Sequence, residues 1–385
     1  MARARSGGSV KPKLNILAYG PTGAGKSTLL LQMAYFKRDD GTPWRILLMD
    51  IESGGADEVI EELESNGIDT RNIYIVYTQS VKETKDYINK VRDHEPFYEL
   101  DDCGDETDEV VKDAYGEQFF PDAIIIDGTS VLKLTNTQSL LDLSRKRNKI
   151  KAEKANATAE EKFVATANAN LELKDYSQLN YTGQDLVLTL MACGVHVGIT
   201  AREKDETISV KGDDGKVTSV ATGKKTFDSY KGMDYNVKTI LRMFRDDNDQ
   251  VCCAVEKDRT KRHAVGTILE DPSLLDWEDV VTRGKGHKEF VLKNDLDKAI
   301  EADQKIFEKQ MLGSDVASDS AKDESADIVN SLKEDINAAI QKLNPVEKKE
   351  MQAKLTEENL PVQYKKTNDV ETLKKILAIV TKKKA

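Results

Sequence analysis

The chain has no apolar run approaching the ~20 residues that a membrane-spanning helix needs. It is poor in cysteine: Cys103, Cys193, Cys252 and Cys253 show neither zinc-ligand spacing nor a disulfide framework, and Cys252 and Cys253 stand in an apolar run. Buried free thiols and a reducing, cytoplasmic setting are therefore expected. Met1 to Lys13 is basic and carries no apolar core, so it is not a secretory signal. Excess positive charge is also missing. A net charge of −11 excludes a uniformly basic nucleic-acid coat, although a local basic channel stays compatible with it. What remains is 385 residues, 39% hydrophobic and 32% charged, enough for one large domain and a smaller one with polar or helical extensions.

Against these absences one stretch stands out. Gly20-Pro21-Thr22-Gly23-Ala24-Gly25-Lys26-Ser27, followed by Thr28, fits G-x-x-x-x-G-K-[ST]. An apolar run, Leu14 to Tyr19, precedes it, and Leu29, Leu30, Leu31, Met33, Ala34 and Phe36 follow at helical spacing. Strand, glycine turn and helix are the setting in which backbone N–H groups close around phosphate oxygens. A plain glycine turn is the competing reading. In the phosphate reading, Lys26 reaches the β- and γ-phosphates and the Ser27 hydroxyl completes a Mg²⁺ shell, so ATP and Mg²⁺ are the expected ligands.

The first half of the chain alternates strand and helix. Apolar strands are expected at Trp44–Asp50, Asn72–Tyr77, Ala123–Asp127 and Val195–Thr200, with helices at Ala56–Ser65 and Val81–Val91 and an irregular acidic segment from His94 to Phe120. Continuous apolar strands of this kind imply a mainly parallel sheet covered on both faces, with ligands beyond the strands' C-terminal ends. Gly20, Asp50, Asp127 and Thr200 all fall there. Asp127, closing an apolar strand after a phosphate loop, suits a water-mediated Mg²⁺ ligand, or else a turn or cap aspartate. No glutamate follows it, so a water-activating base must come from elsewhere. Glu52, just past the second strand, is the candidate, with a capping or exposed loop carboxylate as its alternative.

At this point the chain resembles the RecA-type ATPases, whose catalytic glutamate follows the strand after the P-loop helix. The resemblance implies an α/β fold of RecA-like P-loop type, here with a helical insertion over about 131–183. It implies nucleotide sensing by Thr200 and Arg202 and a DNA-facing loop beyond them. The segment 203–235 holds Lys204, Lys211, Lys216, Lys224, Lys225 and Lys231 near Phe227, Tyr230 and Tyr235. Cations among stackable aromatics suit single-stranded DNA; a surface hairpin with its aromatics tucked into the core fits equally. Lys257-Asp258-Arg259, at the end of a hairpin formed by Val237–Arg245 and Gln250–Glu256, resembles the trans-acting finger of RecA-like recombinases and ring helicases. Lys257 and Arg259 would then stabilise charge on a neighbouring subunit's nucleotide, making the active unit a homo-oligomer.

The expected organisation is a flexible basic start (1–12), the ATPase domain (13–293), a charged helix with a flexible acidic linker (294–325), and a small helical C-terminal domain (326–385) suited to a protein partner or DNA. The basic run Arg145–Lys151 in the insertion fits nucleic acid or a solvated helix face. The whole resembles phage-type nucleotide-binding proteins, some similar to RadA-like recombinases, over roughly Lys13 to Glu289. That resemblance implies DNA recombination, repair or single-strand annealing. A ring helicase or motor, and an ATP switch acting on protein partners, are the alternatives; neither a membrane nor a metabolic acceptor is expected.

Overall fold

The computed structural model describes residues 12–101, 106–211 and 217–282, together with parts of 296–381. The basic start at 1–11, the end of the expected ATPase domain at 283–293, the acidic linker at 313–325 and the terminal lysines 382–384 lie outside the described residues. The chain divides into two units, Met1–Asn294 and Asp295–Ala385.

In the first unit, β1 (Asn15–Gly20) is buried along its whole length and leads through the P-loop into α1 (Lys26–Leu31). Next come β2 (Ile46–Asp50), α2 (Asp57–Ser65), β3 (Ile73–Tyr77) and α3 (Val81–Asp93). The Ser80 side chain caps α3 by accepting from the Glu83 N–H. The segment read as irregular contains a short antiparallel pair, β4 (Tyr98–Leu100) and β5 (Glu106–Val110). Its exposed, charged strands carry no apolar alternation that would have marked them. The chain then enters β6 (Ala123–Asp127) and three helices: α4 (Thr129–Lys154), α5 (Ala159–Ala167) and α6 (Leu173–Ala192). It returns through β7 (His196–Lys211), β8 (Val217–Asp228), α7 (Met233–Asn236), β9 (Thr239–Arg245), β10 (Val251–Asp258), β11 (Ile268–Glu270) and α8 (Glu278–Thr282).

The main sheet runs β11-β10-β9-β1-β7-β6-β2-β3, with β8 attached to β7. From β9 to β3 every neighbouring pair is parallel. Side chains alternate between two buried layers, as a period of two dictates. Leu17 and Tyr19 of β1, Leu47 and Met49 of β2, and Ile124 and Ile126 of β6 face one layer with α4 and α6. Ile16 and Ala18, Ile46 and Leu48, and Ala123 and Ile125 face the other, with α1 and α8. The expected α/β class with a mainly parallel sheet and a helical insertion is what the structure shows.

β7 differs from expectation in length. Its first half pairs with β1 as far as Gly20 opposite Arg202, and its second half pairs only with β8 as an antiparallel ribbon beyond the sheet. The second unit has its own apolar cluster, Ile336, Leu355, Leu373, Ile376 and Val380, and includes α9 (Val370–Thr381).

Candidate functional site

The P-loop's shape depends on its glycines. Gly23 and Gly25 take positive φ of 74° and 77°, where a side chain would be strained. At Gly20 the reason is steric: a Cβ there would stand 2.1 Å from the Met243 carbonyl oxygen on β9. The Lys26 ammonium donates to the Pro21 carbonyl at 2.7 Å, bracing the loop from within. Burial lowers the Lys26 pKa, with the Glu52 and Asp127 carboxylates pulling it back up.

The loop floors a cleft of 690 Å³ lined by Lys26, Ser27, Glu52, Asp127, Thr200 and Arg202, among others. These residues are distant in sequence, and the sheet order brings them together. Asp127 ends β6, which lies between β2 and β7. Its carboxylate is buried and accepts hydrogen bonds from Thr200 Oγ1, at 2.5 Å, and from the Ser27 side chain. Burial raises its pKa, against the lowering effect of those two hydrogen bonds. Thr200 also accepts from the Gly128 N–H at 2.8 Å. Its hydroxyl is therefore committed to orienting Asp127 and the start of α4.

Glu52 projects from a tight turn that Asp50 builds. The Asp50 carboxylate accepts from the N–H groups of Ser53 at 2.9 Å and Gly54 at 2.7 Å, and Ser53 and Gly54 take φ of 60° and 103°. Glu52 meets Arg202, whose Nε and Nη2 both stand 3.0 Å from Glu52 Oε1. Across the cleft Arg245, unforeseen in the sequence, donates from Nε to the Gly23 carbonyl at 3.0 Å and from Nη1 to the Asp249 carbonyl at 2.7 Å. No motif marks Arg245. It reaches the P-loop because β9 pairs with β1 in a register that sets Arg242 beside Tyr19.

Oxygen donors at Ser27 and Asp127, beside a glycine cradle, fit a hard divalent cation whose remaining ligands come from phosphate and water. Among the described residues no group of three or more His, Cys, Asp and Glu is arranged to hold a metal ion by itself.

Lys257 and Arg259 are not in this cleft. β10 runs antiparallel to β9, so its end stands opposite Thr239 and Ile240, and Thr239 pairs with Ile16 near the start of β1 rather than its phosphate-loop end. The Lys257 ammonium donates to the carbonyls of Asp234 and Val237 (2.7 Å to the latter). The Arg259 side chain is exposed.

The segment 203–235 is mostly ribbon. Phe227 packs edge-on to Tyr19, Tyr230 is buried, and Tyr235 is 76% exposed. Lys204 pairs with Asp228 and Lys225 with Asp205.

Strand order, P-loop position and the Asp127 strand two places away define a RecA-like α/β P-loop fold. No family model and no curated protein matches the chain. Among solved structures, a KaiC-like protein from the hyperthermophilic archaeon Pyrococcus horikoshii is similar at 15% identity, over 68% of this chain and 90% of that one, with a TM-score of 0.37. So loose a superposition adds nothing to the topology. Among the described residues no helix is long and apolar enough to cross a membrane.

Proposed function

We propose that the chain is a Mg²⁺-dependent ATPase of RecA-like type that binds ATP on the P-loop and hydrolyses it between subunits. The observation that carries this reading is the convergence of Lys26, Ser27, Asp127 and Glu52 in one cleft at the C-terminal ends of β1, β2 and β6. In this reading the P-loop N–H groups and Lys26 hold the β- and γ-phosphates, Ser27 and Asp127 hold the cation, and Thr200 keeps Asp127 in place. A bound Mg²⁺ would supply charge neutralisation for the transferring phosphoryl group. Glu52 takes the proton from the attacking water. Lys257 and Arg259 act on a neighbouring subunit's nucleotide; their distance from the cleft of their own chain is what a trans-acting role requires.

DNA recombination, repair or single-strand annealing is the process that the RecA and phage-type resemblance favours, with the 203–235 segment as the single-stranded DNA contact. A second reading, an ATP switch working on a protein partner through the helical C-terminal region, is favoured by the ribbon's charge. In its described residues the carboxylates Glu203, Asp205, Glu206 and Asp228 match the lysines Lys204, Lys211, Lys224 and Lys225. The deciding experiment is ATP hydrolysis with Mg²⁺, with and without single-stranded DNA, at two salt concentrations. Stimulation that fades as salt rises supports the DNA reading, since phosphate contacts weaken with counterion concentration. Hydrolysis indifferent to any polynucleotide supports the switch, and no hydrolysis in any condition overturns the ATPase.

A further inference from the structure

We infer that the Arg202–Glu52 ion pair is a lock on the site's own base, closed when the γ-phosphate position is empty and opened by a nucleoside triphosphate but not by a diphosphate. The inference rests on the ATP-site reading above and adds a regulation of that site.

The pair spans three strands. Glu52 follows β2, Arg202 lies in β7, and β6 runs between them, ending at Asp127 with Gly128 next in the chain. A Cβ on Gly128 would stand 2.6 Å from Glu52 Cγ, so the glutamate lies directly over the end of β6. The ion pair therefore arches across the mouth of the position assigned to the cation and γ-phosphate. Both Arg202 nitrogens converge on one oxygen, Oε1. The Nε hydrogen bond and the Nη2 ion-pair contact occupy that oxygen and hold it away from a water, which is a poor arrangement for a base.

Both backbones are fixed while both side chains can move. Asp50 pins the turn that carries Glu52. The Arg202 N–H donates to Ser130 Oγ at 2.8 Å, and Ser130 Oγ donates onward to the Asp228 carbonyl. The side chains of Glu52 and Arg202 are 38% and 57% exposed, so solvent weakens the pair and opening it costs little. A γ-phosphate carries more negative charge than a carboxylate and suits the guanidinium fork. Its arrival draws Arg202 away and leaves Glu52 free beside the phosphoryl group to be attacked. A diphosphate offers no such competitor, so the lock stays closed after hydrolysis.

Opening the lock costs binding energy only for the triphosphate. Isothermal titration of the full chain with Mg²⁺ and either ADP or an imido-bridged, non-hydrolysable ATP analogue measures that cost. Glu52→Gln should tighten the analogue about two- to five-fold, the worth of an exposed ion pair, and leave ADP unchanged. Arg202→Ala should weaken the analogue and not ADP, and Glu52→Gln added to Arg202→Ala should bring no further tightening. The lock is overturned if Glu52→Gln shifts both nucleotides equally, or tightens the analogue as much without Arg202 as with it. If the folded wild-type chain binds neither nucleotide, the ATP-site reading fails and takes the lock with it.

Discussion

Gly128 is the residue on which the site's spacing depends. Its φ of 107° and its 2.6 Å clearance to Glu52 Cγ leave no room for a methyl group. Gly128→Ala should displace Glu52 and lower the hydrolytic kcat while nucleotide affinity changes far less; steady-state kinetics beside binding titrations would check it. Lys26→Ala removes the charge-assisted contact to phosphate and should weaken ATP binding about ten- to a hundred-fold, read by the same titration. Glu52→Gln should bind ATP at least as tightly as the wild type and lower kcat about 10²- to 10⁴-fold, the usual contribution of a positioned base. Lys26, Ser27, Glu52 and Asp127 were visible in the sequence because motif and strand end announce them. Arg245 and the orienting role of Thr200 were not, because their contacts exist only through the pairing of strands far apart in the chain.

At the hairpin end of β10, the residue between the two cations of the Lys-x-Arg sequence serves the structure. Between Lys257 and Arg259, the Asp258 carboxylate accepts from the N–H of Thr260 at 2.9 Å, the N–H of His263 at 3.0 Å and the Trp277 indole at 3.3 Å. The hydroxyls of Thr260 and Thr239 also donate to it. Burial alone would raise its pKa, but these donors bring it below the ordinary carboxylate value. A depressed folded pKa means that its contribution to stability is complete above the unfolded value, about 3.9, and is lost as pH falls through the lower folded value. Asp258→Asn should therefore destabilise the chain at neutral pH by about 1–3 kcal/mol. The gap from wild type should narrow under acid, as measured by urea unfolding across pH. At the root of the insertion, a Cβ on Gly183 in α6 would lie 2.1 Å from the Tyr230 ring. Gly183→Ala should cost about 1–3 kcal/mol through overpacking, visible in the same unfolding assay.

At the scale of the molecule, the cleft contains cations of its own chain, Lys26, Arg202 and Arg245, while Lys257 and Arg259 stand at the other end of β10. If those two serve a neighbour, Arg259→Ala and Lys26→Ala proteins should each be nearly inactive alone. Mixing them should restore part of the hydrolysis, because an intact cleft then meets an intact finger at some interfaces. Absence of recovery across a titration of one variant into the other would exclude the trans-acting role. The sequence by itself determined the α/β class, the parallel strands, the phosphate loop and the placing of Asp50 and Asp127 at strand ends. Those follow from local facts: apolar runs too continuous for one-sided burial, and glycines where backbone must curl. Only the tertiary structure decided that Glu52 bonds Arg202 over Gly128, that Thr200 serves Asp127, that Arg245 braces the P-loop, and that β7 continues into a ribbon. Each of those depends on which strands become neighbours and in what register, a choice made by long-range packing that no local stretch of residues encodes.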